Sequence, residues 1–346
     1  MNESLNGTLA SKYPVLVTGA NGFIGRKVVE TLLRYGFEQI RCFVRPSSDL
    51  AKLNEIFKRF DGADKVELIR GDLLSPDDCA RAAAGVAIVY HLAAGIEKSF
   101  AGAFMNSVVT TRNLIDAFLS YGKPKRFVNV SSFAVYSNWS LKRGALLDES
   151  APLHDEPQKQ CDPYSYAKFK QDELVQQYGK RHALPYVIVR PGAVFGPGKS
   201  AITGRVGINT FGFFIHLGGR NTLPLTYVDN CAEAIVMAGI KPGIEGEVFN
   251  VVDDDLPTSA KFFRAYAEKA PGFSIQLPYS FAYMASMMWE KYSEWSNYQL
   301  PPVFNRRRCV SEWGGNSYSN RKLKERLGWR PRVGMEEAMT SFLSQF

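Results

Sequence analysis

Tyr164-Ser-Tyr-Ala-Lys168 sets a phenol and an amine four residues apart, at the start of a helical stretch running to about His182. Residues spaced by four share one helix face, so both groups can point into one cleft. A phenol titrating near pH ~10 is a poor acid–base group at neutral pH, and a neighbouring ammonium lowers that value toward the working range. The same amine could bond a nucleotide ribose. Asn129-Val-Ser-Ser132-Phe-Ala-Val-Tyr136 precedes this pair and ends in a serine couple. A serine hydroxyl there can donate to a substrate oxygen whose charge changes during hydride transfer.

A second pattern points to a dinucleotide. Thr18-Gly-Ala-Asn-Gly-Phe-Ile-Gly25 follows an apolar run and opens a helix. Gly19 permits a tight turn, Gly22 lets backbone approach a pyrophosphate, and Gly25 allows close helix–strand packing. The free N–H groups of the helix start would face the phosphates, which makes Gly19, Asn21, Gly22, Phe23, Ile24 and Gly25 the candidate contacts. At the end of the second strand stands Arg41-Cys-Phe-Val-Arg45-Pro-Ser-Ser-Asp49. No acid terminates that strand to accept from ribose hydroxyls, and Arg45 with Ser47 and Ser48 suits a 2′-phosphate. NADP(H) is therefore favoured; NAD(H) is the alternative, with Asp49 reaching back. Asp72 and Leu73 end the third strand, where the carboxylate can accept from an adenine amino group. His91-Leu-Ala-Ala-Gly95 ends the fourth, where Ala93 and Ala94 let backbone pass the cofactor.

The elements that must position these groups alternate. Strand-like runs fall at 14–18, 40–44, 65–69, 86–91, 126–130 and 185–190, with helical patterns between them. Val28, Val29, Leu32 and Leu33 share one helical face, and Ser75-Pro76-Asp77-Asp78 is a helix start with a serine cap. This alternation predicts an α/β fold, a doubly wound parallel sheet of Rossmann type with ligands at the carboxyl ends of its strands. Beyond residue 190 the alternation fades and glycine, proline and aromatic residues gather. The expected division is a dinucleotide-binding domain over 12–190, joined by segments around 226–252. A smaller, interleaved substrate lobe takes 191–225 and 253–346.

Composition excludes several classes. Of 346 residues 45% are hydrophobic and 22% charged, as expected for a globular protein with a substantial core. The net charge of +8 has no aromatic-interleaved basic stripe behind it; Lys123-Pro-Lys-Arg126 and Arg306–Arg308 read as solvated surface, so no nucleic-acid partner is expected. Five scattered cysteines (42, 79, 161, 231, 309) read as reduced thiols of a cytoplasmic protein, and four separated histidines make no metal pattern. The start Met1–Tyr13 is polar, with no signal peptide. Phe281–Trp289 is too short to span a bilayer, though it could lie on a membrane surface or line an apolar pocket.

Taken together, these motifs resemble the extended short-chain dehydrogenase/reductases of the NAD-dependent epimerase/dehydratase family. The resemblance also covers Arg190–Gly198, Thr226-Tyr-Val-Asp-Asn230 and Leu327-Gly-Trp-Arg-Pro331. It implies Tyr164 as acid–base, Lys168 as its partner and as a cofactor contact, and Ser132 rather than Ser131 as the catalytic serine. It implies Pro191 as a further cofactor contact. Ser107 stands where many members carry asparagine. Nucleotide-sugar members typically show Arg-Tyr-Phe-Asn where this chain reads Arg190-Pro-Gly-Ala193, and the Thr-Asp-Glu of sugar dehydratases is replaced by Ser131-Ser132-Phe133. Arg-Pro-Gly-x-x-Phe-Gly-Pro-Gly and the aromatic stretch 278–295 resemble the 3β-hydroxysteroid dehydrogenase and dihydroflavonol reductase branch. The expected activity is hydride exchange between NADP(H) and an apolar secondary alcohol or ketone. The alternative is a nucleotide-sugar epimerase with retained NAD, which Arg205, Arg220 and Arg306–Arg308 would suit. A dinucleotide-sensing scaffold would not need the Ser/Tyr/Lys set. By resemblance, a homodimer would form through helices around 98–121 and 162–182.

Overall fold

In the computed structural model, the described residues are 9–60, 64–95, 97–155, 157, 162–199, 202–210, 212–270, 272–296 and 305–346. Seven strands form one parallel sheet: β1 (Val15–Thr18), β2 (Ile40–Val44), β3 (Val66–Arg70), β4 (Ile88–His91), β5 (Arg126–Val130), β6 (Tyr186–Pro191) and β7 (Val248–Val251). Their order is β7-β6-β5-β4-β1-β2-β3. The chain runs outward from β1 to β3, then returns to lay β4 against the other side of β1. That reversal is a topological switch point, and it opens a crevice at the carboxyl ends of β1 and β4. The six strands anticipated from the sequence appear within one or two residues of their expected places.

Near-continuous apolar strands are what a sheet covered on both faces requires. Successive side chains alternate, so Val15 and Val17 enter one core while Leu16 enters the other. The first core packs helix α1 (Phe23–Arg34), through Val28, Val29, Leu32 and Leu33, and α2 (Ala51–Arg59). The second packs α3 (Pro76–Ala83), where the Ser75 hydroxyl accepts from Asp78 N–H with Pro76 at the first helical position, as its sequence predicts. A short α4 (Phe100–Phe104) widens into a π-helical turn at Met105–Val109 and continues as α5 (Thr110–Tyr121).

Helix α6 (Pro163–His182) carries the Tyr-x-x-x-Lys pair. Its start is set by the Asp162 carboxylate, which accepts from Tyr164 and Ser165 N–H at 2.9 and 3.0 Å. Helix α7 (Val228–Ile240) packs in the first core beside α1. The remaining chain builds a three-stranded sheet from 207–210, 213–216 and 274–276 and five helices: α8 (Ser259–Lys269), α9 (Tyr279–Trp295), α10 (Arg306–Trp313), α11 (Arg321–Leu327) and α12 (Met335–Leu343). Asn230 clasps the last stretch by accepting from Arg332 and Val333 N–H, while the buried Trp329 indole donates to the Asn230 carbonyl. Thus two motifs noted in the sequence, Tyr-Val-Asp-Asn and Leu-Gly-Trp-Arg-Pro, close the fold together. No helix among the described residues is long and apolar enough to cross a membrane. Cys42, Cys79, Cys231 and Cys309 are buried free thiols, and Cys161 lies outside the described residues.

Candidate active site

A cleft of about 690 Å³ opens at the switch point. Eight expected cofactor residues line it: Gly19, Asn21, Gly22, Arg45, Asp72, Leu73, Ala93 and Ala94. Gly19 has φ +67°, and a Cβ there would lie 3.0 Å from Ala93 N. A Cβ on Gly25 would lie 2.0 Å from the Gly19 carbonyl oxygen, so only glycine lets α1 start this close to β1. Helix α1 begins at Gly22 with no side-chain cap. Phe23, Ile24 and Gly25 occupy its first turn, whose N–H groups have no intrahelical acceptors. Asn21 Oδ1 is buried there without a partner, whereas its Nδ2 donates to Asp49 O at 2.7 Å. An uncapped helix start and glycines that a Cβ would obstruct fit a pyrophosphate-bearing ligand.

At the cleft rim, Arg45 is exposed and stands with Ser47 and Ser48. The Asp49 carboxylate is absent from the lining and accepts from Ala51 N–H at 3.0 Å. Several lining residues had no sequence signal. Glu97 accepts from Asn106 Nδ2 at 2.8 Å across the cleft wall, a pairing set by the widened turn after α4. Pro191 ends β6, buried and outside the cleft lining.

Beside the cleft, the two serines after β5 face different partners. Ser131 is buried and donates to Asp172 Oδ2 at 2.8 Å. Asn129 Nδ2 and Arg190 Nε also donate to that carboxylate, at 2.9 and 3.1 Å. Burial pushes the Asp172 carboxyl up, opposed chiefly by the Arg190 charge. Ser132, half-buried, accepts from Ala134 N–H at 3.2 Å, and its hydroxyl is near enough to act on the Tyr164 phenol.

Burial raises the Tyr164 phenol above its ordinary value, with the Ser132 hydroxyl opposing and Asp162 and Asp172 adding to the rise. The sequence suggests a depression by Lys168 instead. Here the Lys168 amine turns inward, donating to Val130 O at 2.6 Å and Gln171 Oε1 at 3.0 Å. It is buried, and burial lowers its pKa to about 8 while Asp172 pulls the other way. Gln171, which no motif singled out, continues to Thr111, and Thr111 to His91. His91 is fully buried and its pKa falls to about 3, chiefly through burial and then through the Lys168 charge. Among the described residues no cluster of His, Cys, Asp and Glu could hold a metal ion.

Residues 15–251 match the model of the NAD dependent epimerase/dehydratase family. The chain belongs to this family. Its relatives include 3beta-hydroxysteroid-dehydrogenase/decarboxylase isoform 1 of Arabidopsis thaliana, 26% identical over 96% of this chain and 79% of that protein. The 3-beta-hydroxysteroid dehydrogenase of Mycolicibacterium neoaurum is 25% identical, covering 96% and 91%. The crystal structure of gox2253 superposes with a TM-score of 0.78 at 26% identity, covering 97% of this chain and 98% of that one. The UDP-glucuronic acid 4-epimerase of Bacillus cereus, solved with UDP-glucuronic acid and NAD, shares the fold at a TM-score of 0.71 and 20% identity, covering 96% and 98%. The chain is thus an enzyme of a family of NAD-dependent oxidoreductases, epimerases and dehydratases, with a Rossmann-type sheet.

Proposed function

We propose that this enzyme exchanges a hydride between NADP(H) and an apolar secondary alcohol or ketone, with Tyr164 as acid–base, Lys168 as its electrostatic partner and Ser132 as the hydrogen-bond donor to the substrate oxygen. The observation carrying this reading is the split between the serines. Ser131 spends its proton on Asp172, and Ser132 meets Tyr164. Two hydroxyls close enough to influence each other can jointly hold one carbonyl oxygen.

The bound dinucleotide supplies or accepts the hydride. In reduction, Tyr164 gives its proton to the developing alkoxide while Ser132 donates to the same oxygen; in oxidation both run in reverse. A phenol raised by burial stays protonated at neutral pH, which suits the acid role. Lys168 is mostly an ammonium at pH 7 and favours the transient phenolate. The glycine turn would hold the pyrophosphate, Asp72 the adenine, and Arg45 with Ser47 and Ser48 a 2′-phosphate. The use of the Asp49 carboxylate within its own loop supports NADP(H) over NAD(H).

Among the arginines that would suit a sugar-nucleotide diphosphate, Arg306 is paired with Glu290, Arg205 donates to Ser311 O, and Arg307 lies over the Trp139 ring at 5.2 Å. These commitments, with Ala193 at the position where nucleotide-sugar members carry asparagine, favour an apolar substrate, as does the similarity to steroid dehydrogenases. Residues 191–225 and 253–346 would form the substrate lobe, and α4–α5 with α6 the contact of a cytoplasmic homodimer.

The test combines two variants with dinucleotide titration and a screen of apolar ketones and alcohols. Tyr164→Phe should abolish turnover and spare dinucleotide binding. Arg45→Ala should weaken NADPH about tenfold and leave NADH unchanged, as expected for one charge-assisted phosphate contact. NAD(H) retained through purification with poor exchange would instead establish the epimerase alternative. Unchanged turnover in Tyr164→Phe would remove the acid–base assignment.

A further inference from the structure

Behind the cleft, five side chains form one buried hydrogen-bonded chain, and their donor inventory determines its direction. Thr111 Oγ1 lies 2.5 Å from the Ser107 carbonyl oxygen, a pure acceptor, so the only hydroxyl proton goes there. The same oxygen lies 2.7 Å from Gln171 Nε2 and 2.8 Å from His91 Nε2. With its proton committed, Thr111 must accept from both. His91 is therefore the Nε2–H tautomer, and its Nδ1 accepts from the Thr18 hydroxyl at 2.7 Å. Thr18 in turn accepts from Ala93 N–H, in the cleft wall, at 3.3 Å.

The other end of this chain faces Lys168. Because Thr111 takes the amide nitrogen of Gln171, the amide oxygen is turned to the lysine at 3.0 Å. An ammonium has three N–H donors. Val130 O and Gln171 Oε1 take two, which leaves one.

We propose that Gln171 is a positioning residue that, backed by Thr111 and His91, holds the Lys168 ammonium so that its remaining N–H serves the dinucleotide ribose. This rests on the reading of Lys168 as a cofactor contact. The chain is a brace rather than a proton wire, since Thr111 accepts twice and donates only into a carbonyl. The lysine needs such a brace. Burial has lowered its pKa to about 8, so the loss of one acceptor tips it toward the neutral amine. The charged and titratable groups around it are Asp172 and Tyr164 on its own helix, Arg190 on β6 behind Asp172, and neutral His91 on β4.

The test is a fluorescence titration of NADPH and NADH against the full chain across roughly pH 6–10, the range bracketing a lysine displaced from its ordinary value. Wild type is compared with Gln171→Leu, Gln171→Glu, Thr111→Val and Lys168→Met. Gln171→Leu should weaken binding about tenfold, the size of one hydrogen bond to a charged group, and move the alkaline loss of binding to lower pH. Gln171→Glu should move that loss to higher pH, because a carboxylate favours the ammonium. Thr111→Val should act like Gln171→Leu, more weakly. A purely structural role would lower melting temperature without moving the pH midpoint in opposite directions. If Lys168→Met weakens binding while both Gln171 variants keep wild-type affinity and midpoint, the positioning role is overturned and the reading of Lys168 stands. If Lys168→Met binds as wild type does, both fall. Should Gln171→Leu fail to fold, Gln171→Glu and Thr111→Val decide the matter.

Discussion

The polar band behind the cleft and the outer face of α9 invert the usual placement of side chains. In the band, His91, Thr111, Lys168, Gln171, Asp172 and Arg190 are buried, and each has side-chain or backbone partners. Along α9, Phe281, Met284, Met288, Tyr292 and Trp295 are exposed, at spacings that place them on one helical face. A buried polar group is tolerable only when its hydrogen bonds are made, so each member of the band constrains the next. An exposed apolar side chain constrains almost nothing in the folded state. The buried band should therefore tolerate little change, whereas the outer face of α9 should tolerate much.

The sharpest way to break this contrast is Asp172→Ala. It leaves the buried Arg190 guanidinium, otherwise paired at 3.1 Å, without its carboxylate, and should cost about 3–5 kcal/mol in urea unfolding. A loss below about 1 kcal/mol would show that the band is not coupled, since ordinary surface changes are no larger. Gly25→Ala comes next. Its methyl must displace the Gly19 carbonyl, so stability should fall by about 1–3 kcal/mol and dinucleotide affinity should collapse.

The third prediction concerns pH. His91 titrates at about 3 in the fold, below the ordinary 6.5. The unfolded chain therefore binds the extra proton between those values, and stability falls as pH drops from 6.5 toward 3. At pH 5 the loss should be about 2 kcal/mol, and His91→Gln should remove that part of the slope in denaturant midpoints. Smallest of all, Met288→Ser should change stability by no more than about 0.5 kcal/mol and leave NADPH binding unaltered. A drop several times larger would mean that this face of α9 is packed, and the comparison would fail.

Legibility in the sequence follows the same division. The strand–helix alternation, the glycine turn and the Ser75 cap were readable because each depends on neighbours within one or two turns of chain. Eight of the thirteen cofactor residues expected from sequence line the cleft, all at the ends of strands. The small sheet at 207–216 and 274–276 was not anticipated, since its strands are short and carry glycine and aromatic residues without regular alternation. Glu97 and Asn106 were missed because an irregular helical turn, rather than a motif, sets them together.

By itself, the sequence determined the fold class, the order of the glycine turn, the serine pair and Tyr164-x-x-x-Lys168, and through them the family. Spacing sufficed, because helical and strand periods place residues on faces wherever the chain goes. Only the tertiary structure decided which partner each polar group chose. Thr18 meets His91 across 73 residues of chain, and Gln171 meets Thr111 across 60. It turned Ser131 to Asp172 and Ser132 to Tyr164, sent the Asp49 carboxylate to its own loop, and aimed Lys168 inward. Such choices come from packing between distant segments, where a buried donor must find an acceptor among whatever neighbours the sheet brings near.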